Sequence, residues 1–245
     1  MKNWYFLLIV VLLIGCRKPE DRTCAKSAGA ESTLEIPLDT FNRIYLHPHI
    51  VYELVQDSLN KLSIKGGKNL IQHIRATISD GQLEITNENK CNFLRSYKKK
   101  VHVQIHFTSL INIHFEGSEP LTNRGKLKFD WLTFLIRDGA GSVNLNFDAQ
   151  QVYANISHGW GDFTFSGNVQ YANLNIRSNG FCDLLGMSVQ DSITVISNTQ
   201  GDVKVKTQGI KLKVQTLSDG DVYYKGVPSL ISFDQYASGK LIPLD

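Results

Sequence analysis

RDGAGSV (137–143), SHGWGDF (157–163), SNGFCDL (178–184), SNTQGDV (197–203) and TLSDGDV (216–222) are five versions of one corner. An alternating strand enters each, ending on Ile136, Ile156, Ile176, Val195 and Val214. Another leaves, starting on Val143, Phe163, Leu184, Val203 and Val222. The pattern returns every 19 to 21 residues from 131 to 224. A period of this size marks an array whose units bury their apolar faces only against their neighbours.

Twenty extended residues at ~3.3 Å each give a contour of about 66 Å, which suits one coil of a β-helix. The fold expected is all-β, a right-handed parallel β-helix with 19–21-residue coils. Leu174-x-Ile176, Ile193-x-Val195 and Leu212-x-Val214 recur at a spacing of 19, as do Leu184, Val203 and Val222. Ile111-x-Ile113-x-Phe115 precedes Leu132-x-Phe134-x-Ile136 by 21. Inward positions read as Val143, Leu145, Phe147, Phe163, Phe165, Val203 and Val205. Outward positions read as Asn144, Asn146, Thr164, Lys204, Asn173 and Lys213. A one-residue slip would invert both sets. Glycine recurs either because the corner needs positive φ or because it leaves no room for a Cβ. The aspartates that follow, 162, 183, 202 and 221, are placed to accept bonds from turn amides. Before residue 110 the repeat loosens, with strands expected at 43–46, 51–55, 61–65, 74–78, 82–86 and 101–107. No amphipathic helix is expected after residue 35.

The chain opens with a basic Lys2 and an apolar run, Phe6 to Ile14, too short to span a bilayer as a helix. Residues 1–15 read as a signal peptide. Leu13-Ile14-Gly15-Cys16 resembles the lipobox of bacterial lipoproteins, which implies cleavage before Cys16 and acylation of its thiol. Acyl chains contribute about 0.8 kcal/mol per buried CH₂, so Cys16 would anchor the protein to a membrane without a transmembrane helix. Residues 16–38 read as a lipidated flexible tether, 39–227 as the β-helix domain and 228–245 as a C-terminal cap.

The formal net charge of +3 is close to balanced and predicts neither a nucleic-acid nor an acidic partner. Cysteines follow Cys16 at 24, 91 and 182. An exported compartment permits disulfides. Cys24 in the tether and Cys91 in a polar loop are expected to pair, with Cys182 a buried thiol in a glycine-like corner position; three free thiols are the alternative.

Phe41-Asn42-Arg43-Ile44-Tyr45, the strand at 50–54, Gly66-Gly67, Ser79-Asp80-Gly81-Gln82-Leu83-Glu84-Ile85, the Gly-Asp-hydrophobic corners and Asp221-Val222-Tyr223-Tyr224-Lys225-Gly226 combine into a recognisable whole. Together they resemble the putative auto-transporter adhesin, head GIN domain family, common in Bacteroidota, over about residues 39–227. The resemblance implies a right-handed β-helix on a cell envelope. It carries no catalytic residues.

No nucleophile elbow, P-loop or metalloprotease helix is present. His102 and His106 lie ~13 Å apart along one strand, too far for one metal, and His47-Pro48-His49 has no third local ligand. No catalytic residues, metal site or cofactor are expected. The basic run Arg95 to Lys100 reads as a solvated loop or a contact for anionic groups. Lys204, Lys206, Lys211 and Lys213 read as one outer cluster. Trp160 and Phe181 are expected at one corner position of consecutive coils. There they form either an exposed platform for a sugar or partner side chain, or a ladder stiffening the corner by about 0.5–1.5 kcal/mol. The function expected is a non-catalytic outer-membrane lipoprotein of the cell envelope, facing periplasm or exterior, a binding scaffold for a glycan or protein. A glycan-active β-helix enzyme and a structural assembly component are the alternatives.

Overall fold

Alternation dictates what the chain can do with its apolar side chains: each strand buries every second one against a single interior. The computed structural model describes residues 27–89 and 99–245. The stretch 1–15 read as a signal peptide, Cys16, Cys24 and Cys91 lie outside the described residues, as does the basic run up to Lys98.

In chain order the strands are β1 (Glu31–Pro37), β2 (Arg43–Leu46), β3 (Val51–Gln56), β4 (Lys61–Gly67), β5 (Ile74–Ser79), β6 (Gln82–Asn87) and β7 (His102–Phe107). Then come β8 (Asn112–Phe115), β9 (Leu121–Arg124), β10 (Leu127–Arg137), β11 (Val143–Ser157), β12 (Phe163–Arg177) and β13 (Cys182–Leu184). The last are β14 (Met187–Ser197), β15 (Val203–Lys206), β16 (Lys211–Thr216), β17 (Val222–Lys225), β18 (Leu230–Gln235) and β19 (Leu241–Leu244). They form a β-solenoid of about 7 turns. One wall runs β5-β6-β2-β8-β10-β11-β12-β14-β16-β18. The other runs β1-β4-β7-β3-β9-β11-β12-β13-β15-β17-β19. A short third side joins them where Leu127–Phe129, Phe147–Ala149 and Gly167–Val169 stack.

The inward set is buried as the alternation requires. Val143, Leu145, Phe147, Phe163, Phe165, Val203 and Val205 are all closed off, while Asn144, Asn146, Asn173 and Lys213 face water. Phe165 packs edge-on to both Phe134 and Phe147, each with centroids 5.3 Å apart, so neighbouring coils share one aromatic core. At the bend from wall to short side, Gly167 has φ +113, and a Cβ there would lie 1.9 Å from the Phe147 carbonyl oxygen. Only glycine serves.

The register differs from the expectation by two residues at two places. Cys182, not Leu184, pairs with Phe163 and Val203. Leu174 pairs with Val195, so the constant spacing of 19 fails there. A bulge supplies one residue of the second shift: Val169 and Tyr171 of β12 face Val189 and Ser192 of β14, which carries the extra residue, and the other is already present where Gly167 faces Met187. A shift of two leaves every side chain on its own face, so alternation does not detect it.

The first half contains the strands expected, in an unexpected order. The coil β2–β3 sits between β6–β7 on one side and β8–β9 on the other. Beyond β6–β7 the pairing turns antiparallel: β5 covers β6, and β4 then β1 cover β7. β1 falls within the stretch expected to be tether, so order starts earlier than residue 39. A one-turn helix, Lys68–Ile71, was not expected; it buries Leu70 and Ile71 against the same end. At the far end, 228–245 forms no separate cap. β18 and β19 continue the parallel ladders of β16 and β17, because Leu230-Ile231-x-Phe233 repeats the inward spacing of Lys211-Leu212-x-Val214.

Candidate functional site

The corners are built by a close stack of backbone. A Cβ on Gly161 would lie 2.3 Å from the Gly141 carbonyl oxygen, one on Gly180 2.3 Å from that of Gly161, and one on Gly201 2.3 Å from that of Gly180. Gly220 and Gly239 repeat the contact at 2.4 Å. None of these five has positive φ, so missing room, not left-handed backbone, is why the repeat keeps glycine. The corner aspartates tie coils together: Asp162 Oδ1 accepts the Phe181 amide at 2.9 Å, and Asp221 Oδ1 accepts the Lys240 amide at 2.7 Å.

This stack settles where the two aromatics sit. Gly180 lies over Gly161, so Asn179, not Phe181, is the counterpart of Trp160. Phe181 lies two positions on, level with Asp162. The shared column expected for the pair is therefore wrong by two residues, for the same reason as Leu184: the coil from Phe163 to Cys182 holds 19 residues, and Phe181 was counted as though it held 21. No ring contact joins them among the described aromatic pairs. Both are nonetheless open to solvent on consecutive corners, Trp160 at 74% and Phe181 at 57% exposure.

Cys182 belongs to the inward ladder rather than the glycine column. It is a free, buried thiol, and burial, aided by the nearby Asp183 charge, pushes its pKa well up. That makes it an inert core residue. The four lysines expected to cluster divide between walls: Lys204 and Lys206 on β15, Lys211 and Lys213 on β16.

A second cluster was missed in the sequence. On the outer face of the β2 wall, Tyr45 stacks on His114 with centroids 4.3 Å apart and planes at 7°, and meets His47 at 4.2 Å. His47 Nε2 lies 2.8 Å from Glu84 Oε1, and His114 Nε2 lies 3.3 Å from Glu116 Oε1. Burial, then the bond to Glu116, raises the Tyr45 pKa to about 12. Burial lowers the His114 pKa despite Glu116. The signal for this cluster was the outward parity of Tyr45, Glu84 and His114, usable only once the coil order is known. On the other wall, His106 Nδ1 lies 2.9 Å from Asp57 Oδ2. Among the described residues, no group of three or more His, Cys, Asp or Glu is arranged to hold a metal ion.

Residues 40–228 match the family described as putative auto-transporter adhesin, head GIN domain. A putative adhesin from Bacteroides fragilis superposes with a TM-score of 0.78 at 21% identity, covering 88% of this chain and 97% of its own. One from Parabacteroides merdae gives 0.63 at 19%, covering 89% and 98%. A chain from Parabacteroides distasonis described as a putative lipid binding protein gives 0.58 at 18%, covering 89% and 98%. At these identities the likeness is one of fold. No curated protein matches the chain.

Proposed function

Starting from a chain that belongs to the putative auto-transporter adhesin, head GIN domain family, we propose a non-catalytic cell-envelope lipoprotein that presents a rigid β-solenoid to a glycan or protein ligand. The family and its solved neighbours carry adhesin names, which supports an adhesin-like protein of the cell surface or envelope. The finer reading adds acylation at Cys16 as the anchor and a Cys24–Cys91 bond as a staple near it. Among the described residues no helix is long and apolar enough to cross a membrane.

The observation that carries the proposal is the pair of solvent-facing aromatics, Trp160 and Phe181, on consecutive corners of a stack with little freedom to move. A large ring held on fixed backbone loses little conformational entropy on contact. Exposed Trp in such a setting is a recurrent anchor of binding surfaces. Because the rings are offset by two positions, they are read as two neighbouring contacts, not one stacked platform. The test is Trp160→Ala with Phe181→Ala in a glycan-binding or cell-adhesion assay, with circular dichroism to confirm folding. The proposal expects binding to fall at least tenfold in a folded protein. Undiminished binding removes the corner from consideration. Separately, metabolic labelling with an alkyne fatty acid should tag the wild type and not Cys16→Ala.

A further inference from the structure

A groove of about 520 Å³ lies where the antiparallel strands cover the end of the solenoid. Its floor is the outer face of β1, β4 and β7. Register places Thr33 beside Lys65 and Lys65 beside His102, making one row across three strands. Ser63 beside Gln104 makes the next. Gly29 and Gly67 on one side and Lys99 and Lys100 on the other complete the lining.

The charges are unevenly answered. Lys65 Nζ bonds Glu31 Oε1 at 2.8 Å, and Lys100 bonds Glu119. Lys65, which holds the Glu31 carboxyl below its usual range, stands beside His102 in the register, and Lys99 lines the same groove, so three basic side chains border the groove that the exposed Glu31 carboxylate also lines. Lys99 makes no ion pair among the described residues. Glu31 thus marks where an anion sits among Lys65, Lys99 and His102. It lies on the outermost strand, where an incoming carboxylate or sulfate can take over its place.

The lining also describes the rest of the ligand. Beside the basic groups, the described lining residues offer hydroxyl and amide groups, Thr33, Ser63 and Gln104, and among them is no Phe, Tyr, Trp or large aliphatic side chain. Three adjacent strands at ~4.8 Å make the row about 10 Å long, more than one phosphate or sulfate group fills. An extended, hydroxylated molecule with an acidic group matches both the polarity and the length. We propose that this groove binds an acidic saccharide, its carboxylate or sulfate held by Lys65, Lys99 and His102 and its hydroxyls by Thr33, Ser63 and Gln104. The site is separate from the Trp160 corner and does not depend on it.

The test is calorimetric titration of the full chain with tetragalacturonate and with sulfated maltotetraose. Maltotetraose, inorganic phosphate and phosphatidylglycerol vesicles serve as comparisons. The proposal expects at least one acidic saccharide to bind at least tenfold more tightly than the neutral one or phosphate, with affinity falling as salt rises. Lys65→Gln with Lys99→Gln, both exposed and expected to leave the fold intact, should weaken it about tenfold or more. Lys211→Gln with Lys213→Gln, on the other wall, should not. Trp160→Ala with Phe181→Ala should also leave it unchanged, so the groove and the corner fail independently. Absence of binding to both acidic saccharides, equal binding by the Lys65, Lys99 variant, or equal or tighter binding to phosphate or vesicles would each overturn the proposal.

Discussion

The two ends of the solenoid are finished differently. At one, β5 lies antiparallel on β6, β4 and β1 lie antiparallel on β7, and Leu70 and Ile71 close the interior. Its outermost strand carries charge, with Glu31 and Glu35 paired to Lys65 and Lys61. At the other, β18 and β19 simply continue the ladders and, among the described residues, have a neighbour on one side only. Leu230 and Ile231 are 60% and 44% exposed there, while Phe233 and Leu241 half-cover the core. Stacking needs only more of the same repeat. Ending the stack needs chain that reverses direction and breaks the period, because an unpaired edge is a template for further pairing. The covered end is accordingly where the repeat is hardest to see, and where the groove lies.

The sharpest way to break this comparison is one substitution placed in both contexts. Val203→Asp in the interior buries an unpaired charge and should prevent folding, read as loss of the cooperative thermal transition. Ile231→Asp on the open coil, where the residue is 44% exposed, should cost far less, about 1–2 kcal/mol, and leave the cooperative transition in place.

Glycine gives the next contrast. Gly201→Val must displace backbone that is held by coils on both sides, and should cost about 3 kcal/mol or more in chemical denaturation. Gly239→Val meets an equivalent contact at 2.4 Å, but the last coil can shift outward, so the cost should be clearly smaller. Deleting 229–245 removes one neighbour interface and bares the buried Leu212, Val214 and Val222. A lower melting temperature and concentration-dependent aggregation should follow, checked by light scattering. A truncation as stable and monomeric as the parent would show that the last coil contributes nothing.

The smallest effect is electrostatic. His114, on the wall near the covered end, has its folded pKa below the ordinary 6.5 because burial disfavours the charged ring. Its contribution is therefore fully present above 6.5 and is lost as pH falls through the lower folded value. An NMR titration should place the His114 midpoint below 6.5. His114→Gln should lessen the loss of stability on acidification.

What could be read from sequence divides along the same line. Parity was legible everywhere: Val143, Phe163 and Val203 point inward because one-residue slips are forbidden by burial. Register was not, since exchanging Cys182 for Leu184 moves the chain by two and keeps both residues inside. That error carried into the site. Exposure of Trp160 and Phe181 followed from their corners, but their alignment depended on counting one 19-residue coil correctly. The Tyr45, Glu84, His114 row could not be seen because its members come from coils whose spatial order is not their chain order. β1 was hidden by its charges, which are what an edge strand needs and what a tether also shows.

Hydrogen–deuterium exchange of the full chain, followed by mass spectrometry, tests the difference between the ends most directly. Amides of β3, β7 and β15, held between neighbours, should exchange only by the most costly openings. Those of β18 and β19 should exchange orders of magnitude faster, with β1 between them. Protection of β18 and β19 equal to that of β15 would contradict the open end described here.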